Sequence, residues 1–179
     1  ADEKPPPPSI PVPPAGLART GSRWPYHAWT RAEAVTLNGD VHRGVGKNGR
    51  IPDYYAVKEG AVAVSLGERK PITEEQAKEA IAYAAKADFS VFLSNCFDPR
   101  HAVVFFDGDV PVASINVCFE CEGVQAWPKP EDVKSVKAKP MSPARAEAAW
   151  RATVPKWEAY FRGIGFVVKP PRSASADTD

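Results

Sequence analysis

The sequence has little methionine and cysteine and no long hydrophobic run. Only one of its 179 residues is methionine and three are cysteine. No stretch approaches the roughly 18 consecutive apolar residues of a membrane-spanning helix, so no transmembrane segment is expected. The 23 lysines and arginines balance 22 aspartates and glutamates, and no short window forms a solid basic block. Nucleic acid is therefore not an expected partner, and no other partner is indicated.

The composition indicates one folded domain between two polar or proline-rich ends. With 44% hydrophobic and 25% charged residues, the chain can build a single apolar core. Proline dominates the start, while proline, serine and aspartate dominate the end. We expect a disordered tether over residues 1–21, a globular domain over 22–168 and a disordered tail over 169–179.

The first residues suggest export. The chain begins at Ala1 and its only methionine is Met141, which fits either a mature exported protein or a trimmed chain. The run from Lys4 to Pro14 is typical of a spacer that follows a signal peptide or a lipid anchor. We therefore expect an exported protein, in the periplasm, in the cell envelope or secreted, with a lipid-anchored tether as one form.

Two helices are predicted from their starting signals. Thr73 and Gln76 can exchange side-chain and backbone hydrogen bonds as a capping box, and a stripe of alanines follows at helical spacing, which predicts a helix over about 74–86. Ser142 followed by Pro143 predicts the start of a second helix over about 143–162. Pro155 should kink or split that helix.

Strands are predicted where β-branched and aromatic residues cluster. Asp107, Gly108 and Asp109 supply the turn of a central hairpin over about 101–119. The fold class is therefore α+β, with a small mixed or antiparallel sheet packed by the two helices. The remaining predicted strands are 29–37, 61–66, 90–94 and 166–168.

The hairpin brings the cysteines near one another. A turn through Gly108 and Asp109 pairs His101 with Asn116, Pro99 with Cys118 and Cys96 with Cys121. A turn centred one residue earlier places Cys96 opposite Phe119 instead. Cys118 and Cys121 point to opposite faces of an ideal strand, so a shared site requires a bend at Phe119 and Glu120.

Three interpretations of this cluster stay open. Cys96, His101, Cys118 and Cys121 supply the ligand types of a tetrahedral zinc site or soft ligands for copper(I). Alternatively, Cys96 forms a disulfide with Cys118 or Cys121, which leaves one thiol from the odd count. The third is redox chemistry of Cys118 and Cys121, although no helix start follows them to lower a thiol pKa.

A related enzyme hypothesis makes Cys96 a nucleophile and His101 its base, with Asp98 or Asn116 as the orienting group. The plainer interpretation of His101 is a loop residue that hydrogen-bonds a backbone group. The leading hypothesis is a binding or structural module whose cluster holds zinc or copper or is locked by a disulfide. The alternative is a thiol-based enzyme.

The run CFDPRHAVVFFDGDVPVASINVCFEC, from Cys96 to Cys121, resembles a family of uncharacterised bacterial exported proteins and lipoproteins. The shared features are a Cys-x-x-Pro-Arg-His loop, a hairpin and a Cys-Phe-x-Cys ending. The resemblance implies an exported bacterial protein in which the residues of this loop and ending form one unit. It implies no activity.

Overall fold

The structure is a computed structural model that describes residues 10–14, 16–37, 55–58, 61–63, 66–86, 99–119, 123–130 and 142–168. Side chains of a few residues within these ranges are also not described, chiefly in the first half of the second helix. The predicted strand 90–94 and the predicted tail 169–179 lie outside the described residues. So do Cys96, Asp98 and Cys121.

The fold is α+β, as the sequence predicts. Five antiparallel strands form one sheet in the order β4-β1-β5-β6-β7, and β2 and β3 form a separate small hairpin. The helices are α1 (Glu74–Lys86) and α2 (Pro143–Gly163). The strands are β1 (Arg31–Leu37), β2 (Val57–Lys58), β3 (Ala61–Val62), β4 (Leu66–Ile72), β5 (His101–Asp107), β6 (Val110–Cys118) and β7 (Gly123–Trp127).

Each face of the large sheet carries its own hydrophobic core. On the helix face, side chains such as Ala34, Phe105 and Ile115 pack with α1 and α2. On the hairpin face, Val35, Val104 and Phe106 pack with the small β2–β3 hairpin. Because successive side chains of a strand alternate between faces, every residue from His101 to Phe106 in β5 is buried.

The capping box of α1 is confirmed. The Thr73 amide donates to Gln76 Oε1 at 2.9 Å, and the Gln76 amide donates to Thr73 Oγ1 at 3.2 Å. Ala77, Ala80 and Ala84 are fully buried on the helix face. Their small side chains let α1 lie close to the sheet, as the stripe predicts.

Helix α2 is one continuous element through Pro155, so the predicted split does not occur. It ends where Gly165, with a φ of 91°, donates to the Arg162 carbonyl and Phe166 donates to the Phe161 carbonyl. This is a Schellman motif, which requires the left-handed backbone that glycine adopts most readily. Residues 166–168 then pack without joining a sheet, and the predicted last strand is wrong.

The register of the central hairpin differs from both predicted versions. Next to the turn at Gly108 and Asp109, Phe106 pairs with Pro111, as a turn at those two residues requires. Val112 is then an extra residue on β6, because Phe105 pairs with Ala113. This bulge shifts the rest of the ladder by one residue, so His101 pairs with Val117 and not with Asn116.

The packed domain extends further toward the N-terminus than the predicted boundary at residue 22. Ile10 and Pro13 are buried, and Ile10 belongs to the core of the hairpin face. Tyr26 is also buried, and its carbonyl accepts from the amides of Thr20 and Gly21. Part of the predicted tether therefore contributes to the core. No helix in the described part of the chain is long and apolar enough to cross a bilayer.

Candidate functional site

The predicted ligands that the structure describes are His101, the first residue of β5, and Cys118, the last residue of β6. They lie at the same end of the sheet on neighbouring strands. His101 is directly opposite Val117, so Cys118 is one position beyond it. Strand alternation therefore directs the His101 and Cys118 side chains to opposite faces of the sheet.

His101 belongs to the helix face. Its ring centroid lies 4.9 Å from that of Phe161 and 5.4 Å from that of Phe119. Its Nε2 atom lies 3.2 Å from the carbonyl oxygen of Val167, a hydrogen-bond distance. The buried Nδ1 atom has no hydrogen-bond partner among the described residues. The interpretation of His101 as a residue that bonds a backbone group matches this contact, although the carbonyl comes from the segment after α2.

The surroundings of His101 oppose its protonation. Burial lowers the pKa of His101 to about 4, and the positive charge of Arg100 adds to this effect. The Val167 carbonyl favours the charged form but only partly offsets the burial. His101 is therefore neutral at physiological pH. A pKa near the ordinary value of 6.5 is expected only in the unfolded chain.

Cys118 belongs to the hairpin face and is fully buried. It lies two positions after Asn116 on a regular part of β6, where Cys118 pairs with Gly123 of β7. The predicted pairing of Pro99 with Cys118 needed the register that the bulge removes. In the described part of the chain, no group of three or more histidine, cysteine, aspartate or glutamate side chains could hold a metal ion. The four-ligand site also depends on Cys96 and Cys121, and it stays a prediction.

A buried polar network lies beside Cys118 on the hairpin face. Asn116 Oδ1 accepts from the Ala56 amide at 2.7 Å, and Asn116 Nδ2 donates to Ser114 Oγ at 3.1 Å and to the Gln125 carbonyl at 3.3 Å. Ser114 Oγ donates to the Val57 carbonyl at 2.7 Å. Two side chains of β6 thus hold the β2–β3 hairpin and β7 together. The sequence signal was the alternation of Ser114 and Asn116 with Ala113, Ile115 and Val117.

We predict that Asn116→Ala lowers the free energy of unfolding by about 2 to 4 kcal/mol, because the Ala56 amide and the Gln125 carbonyl lose a buried partner. Urea denaturation monitored by circular dichroism measures the change. Glu75→Ala, on the exposed side of α1, is the control and should stay within about 0.5 kcal/mol of the wild type. Equal stability of the two variants would contradict the role assigned to Asn116.

A second prediction follows from the buried neutral His101. His101 takes up a proton near pH 6.5 in the unfolded chain but only near pH 4 in the folded chain. The stability that this difference in pKa gives to the folded state is therefore fully present above pH 6.5 and is lost as the pH falls toward 4. The loss amounts to about 3 kcal/mol over that interval. Denaturation of the wild type and of His101→Phe at several pH values measures this loss. It is the difference between the slopes of the two plots of unfolding free energy against pH.

His27→Asn is the control for this experiment. His27 is only half-buried, and although burial also lowers its pKa, its replacement should leave most of the wild-type slope in place. Parallel pH profiles for the wild type and His101→Phe would show that His101 is not buried as a neutral group.

Comparison with known proteins adds no assignment. No protein-family model matches the chain, and no curated protein or solved structure matches it significantly. The resemblance of the segment from Cys96 to Cys121 to exported bacterial proteins therefore stays a prediction.

Proposed function

We propose that this chain is a non-catalytic binding or structural module of a bacterial exported protein, in which the cysteines stabilise the fold. The observation that carries the proposal is the separation of His101 and Cys118 on opposite faces of the sheet, both of them buried. A catalytic thiol needs access to a substrate and a base beside it. Cys118 is fully buried, and His101 lies on the opposite face of the sheet and is not a base beside it.

The state of His101 supports the same conclusion. Its Nε2 atom is engaged by the Val167 carbonyl, and three phenylalanine rings surround the imidazole. A general base works best with a pKa close to the working pH, whereas burial keeps the pKa of His101 at about 4. The imidazole is built into the core and serves packing more readily than proton transfer.

Among the structural roles, a disulfide of Cys96 with Cys118 or Cys121 fits best. It needs two sulfur atoms on one side of the sheet and makes no demand on His101. A site of three cysteines and one histidine requires His101 and Cys118 to reach one metal from opposite faces. An exported location suits the disulfide, because such bonds persist in oxidising compartments.

A zinc or copper site is the second candidate, and one observation favours it. The buried Nδ1 atom of His101 has no hydrogen-bond partner among the described residues. A buried polar atom in that state costs free energy unless something binds it, and a neutral imidazole nitrogen is a common metal ligand. This candidate therefore makes a different prediction for the mass of the native protein.

Intact mass spectrometry of the full chain, native and denatured, with and without reductant, tests the proposal. We expect a deficit of about 2 Da that reductant removes, together with one alkylated thiol per unfolded chain before reduction. A native mass increased by one metal ion that denaturation releases would replace the disulfide by the metal site. Rapid alkylation of more than one thiol in the native protein at neutral pH would contradict both structural roles and favour the thiol enzyme, because the disulfide leaves only one free thiol and the metal site leaves none.

The stability of Cys118→Ala gives a further prediction. If Cys118 forms the bridge, the free energy of unfolding of the variant should be about 2 to 5 kcal/mol lower than that of the oxidised wild type. Reductant should remove most of this difference, because it opens the bridge only in the wild type. Cys118→Ser separates the cost of a buried hydroxyl from the loss of the bridge. An unchanged melting temperature in both variants would remove Cys118 from any structural role.

A further inference from the structure

A groove runs between α1 and α2 on the outer side of the helix layer. It has a volume of about 430 Å³, within the range of pockets for small ligands. Its walls carry two tyrosines, Tyr83 from α1 and Tyr160 from α2, and two charges of opposite sign. Ala159 and Gly163, which have little or no side chain, also line it. None of these residues belongs to the strands that carry His101 and Cys118.

The two tyrosine rings form a corner. Their planes are inclined at 76° and their centroids lie 6.3 Å apart. The Tyr160 hydroxyl donates to the Gln76 carbonyl at 3.1 Å, and the Tyr83 hydroxyl donates to the Glu79 carboxylate. Trp157 packs edge-to-face against both rings from behind. The corner is therefore held in place before any ligand arrives.

The charges of the groove come from Glu79 on α1 and Lys156 on α2, both exposed. Neither side chain forms an ion pair with another described residue. The hydrogen bond to Glu79 raises the pKa of Tyr83, while burial followed by the charge of Glu79 raises the pKa of Tyr160. Both phenols thus stay neutral beside a carboxylate, and the opposite wall presents an ammonium group.

We propose that this groove binds a small zwitterion that carries an alkylated ammonium group and a carboxylate. The ammonium group lies against the half-buried Tyr83 ring, which packs on the buried Tyr160, and the face of the Tyr83 ring and the Glu79 carboxylate attract the cation. The carboxylate of the ligand pairs with Lys156. A ligand with both charges satisfies both walls, whereas a simple cation is repelled by Lys156 and a simple anion by Glu79.

Three compounds of nearly equal shape test this assignment on the full chain. Glycine betaine carries both charges, choline carries only the cation, and 3,3-dimethylbutanoate carries only the anion. Two-dimensional NMR titration measures each affinity and maps the shifted amides. We expect glycine betaine to bind with a Kd below about 10 mM and at least about tenfold more tightly than either of the other compounds, with shifts around Tyr83 and Tyr160.

Glu79→Gln and Lys156→Gln should each weaken the binding of glycine betaine about tenfold or more, because each removes one charge from the groove. Glu75→Gln and Lys78→Gln, exposed positions on α1 outside the groove, are the matched controls and should leave it unchanged. Equal affinity for the three compounds, no binding of glycine betaine up to about 10 mM, or binding unchanged by both groove variants would overturn the proposal. The result does not depend on the state of the cysteines.

Discussion

The burial of β5 and β6 on both faces is the constraint on which the rest of the structure depends. Each side chain from His101 to Phe106 must fit either the helix face or the hairpin face, and a shift of one residue would exchange the two sets. The extra residue Val112 makes such a shift within β6, between the turn and the body of the strand. One bulge thereby decides that Cys118 lies beside the polar network, on the face of the sheet opposite to His101.

The parts of the fold that could be predicted are those with a local signal. The capping box at Thr73 marks the start of α1 in four residues, and the turn at Gly108 marks the hairpin. The edge strands β4 and β7 were missed. Most of β4 is charged or is glycine and proline, which suits an exposed edge but not the β-rich composition used to find strands. Residues 166–168 have that composition, yet they bury Phe166 and Val168 as an irregular segment.

The candidate site shows the same division. The sequence correctly indicates that His101 and Cys118 share one end of the sheet, because any register close to the turn brings them there. The nearness of the three thiols stays a prediction. Whether the His101 and Cys118 side chains share a face depends on a bulge, and the residue type at Val112 does not indicate one. The groove between the helices was missed because Glu79, Tyr83 and Lys156 look like ordinary surface residues until α1 and α2 are placed side by side. Only the tertiary arrangement turns them into one surface.

The contact between His101 and the Val167 carbonyl joins the start of β5 to the last few described residues of the domain. Phe161 and Phe166, which complete the aromatic core around that histidine, also come late in the chain. During synthesis α1 and all the strands emerge before α2, and the part of the helix face that α2 covers stays exposed to water until α2 and the segment after it have emerged. The aromatic core around His101 therefore cannot close before the segment that follows α2 has emerged, and until then part of its apolar surface is open to non-native contacts.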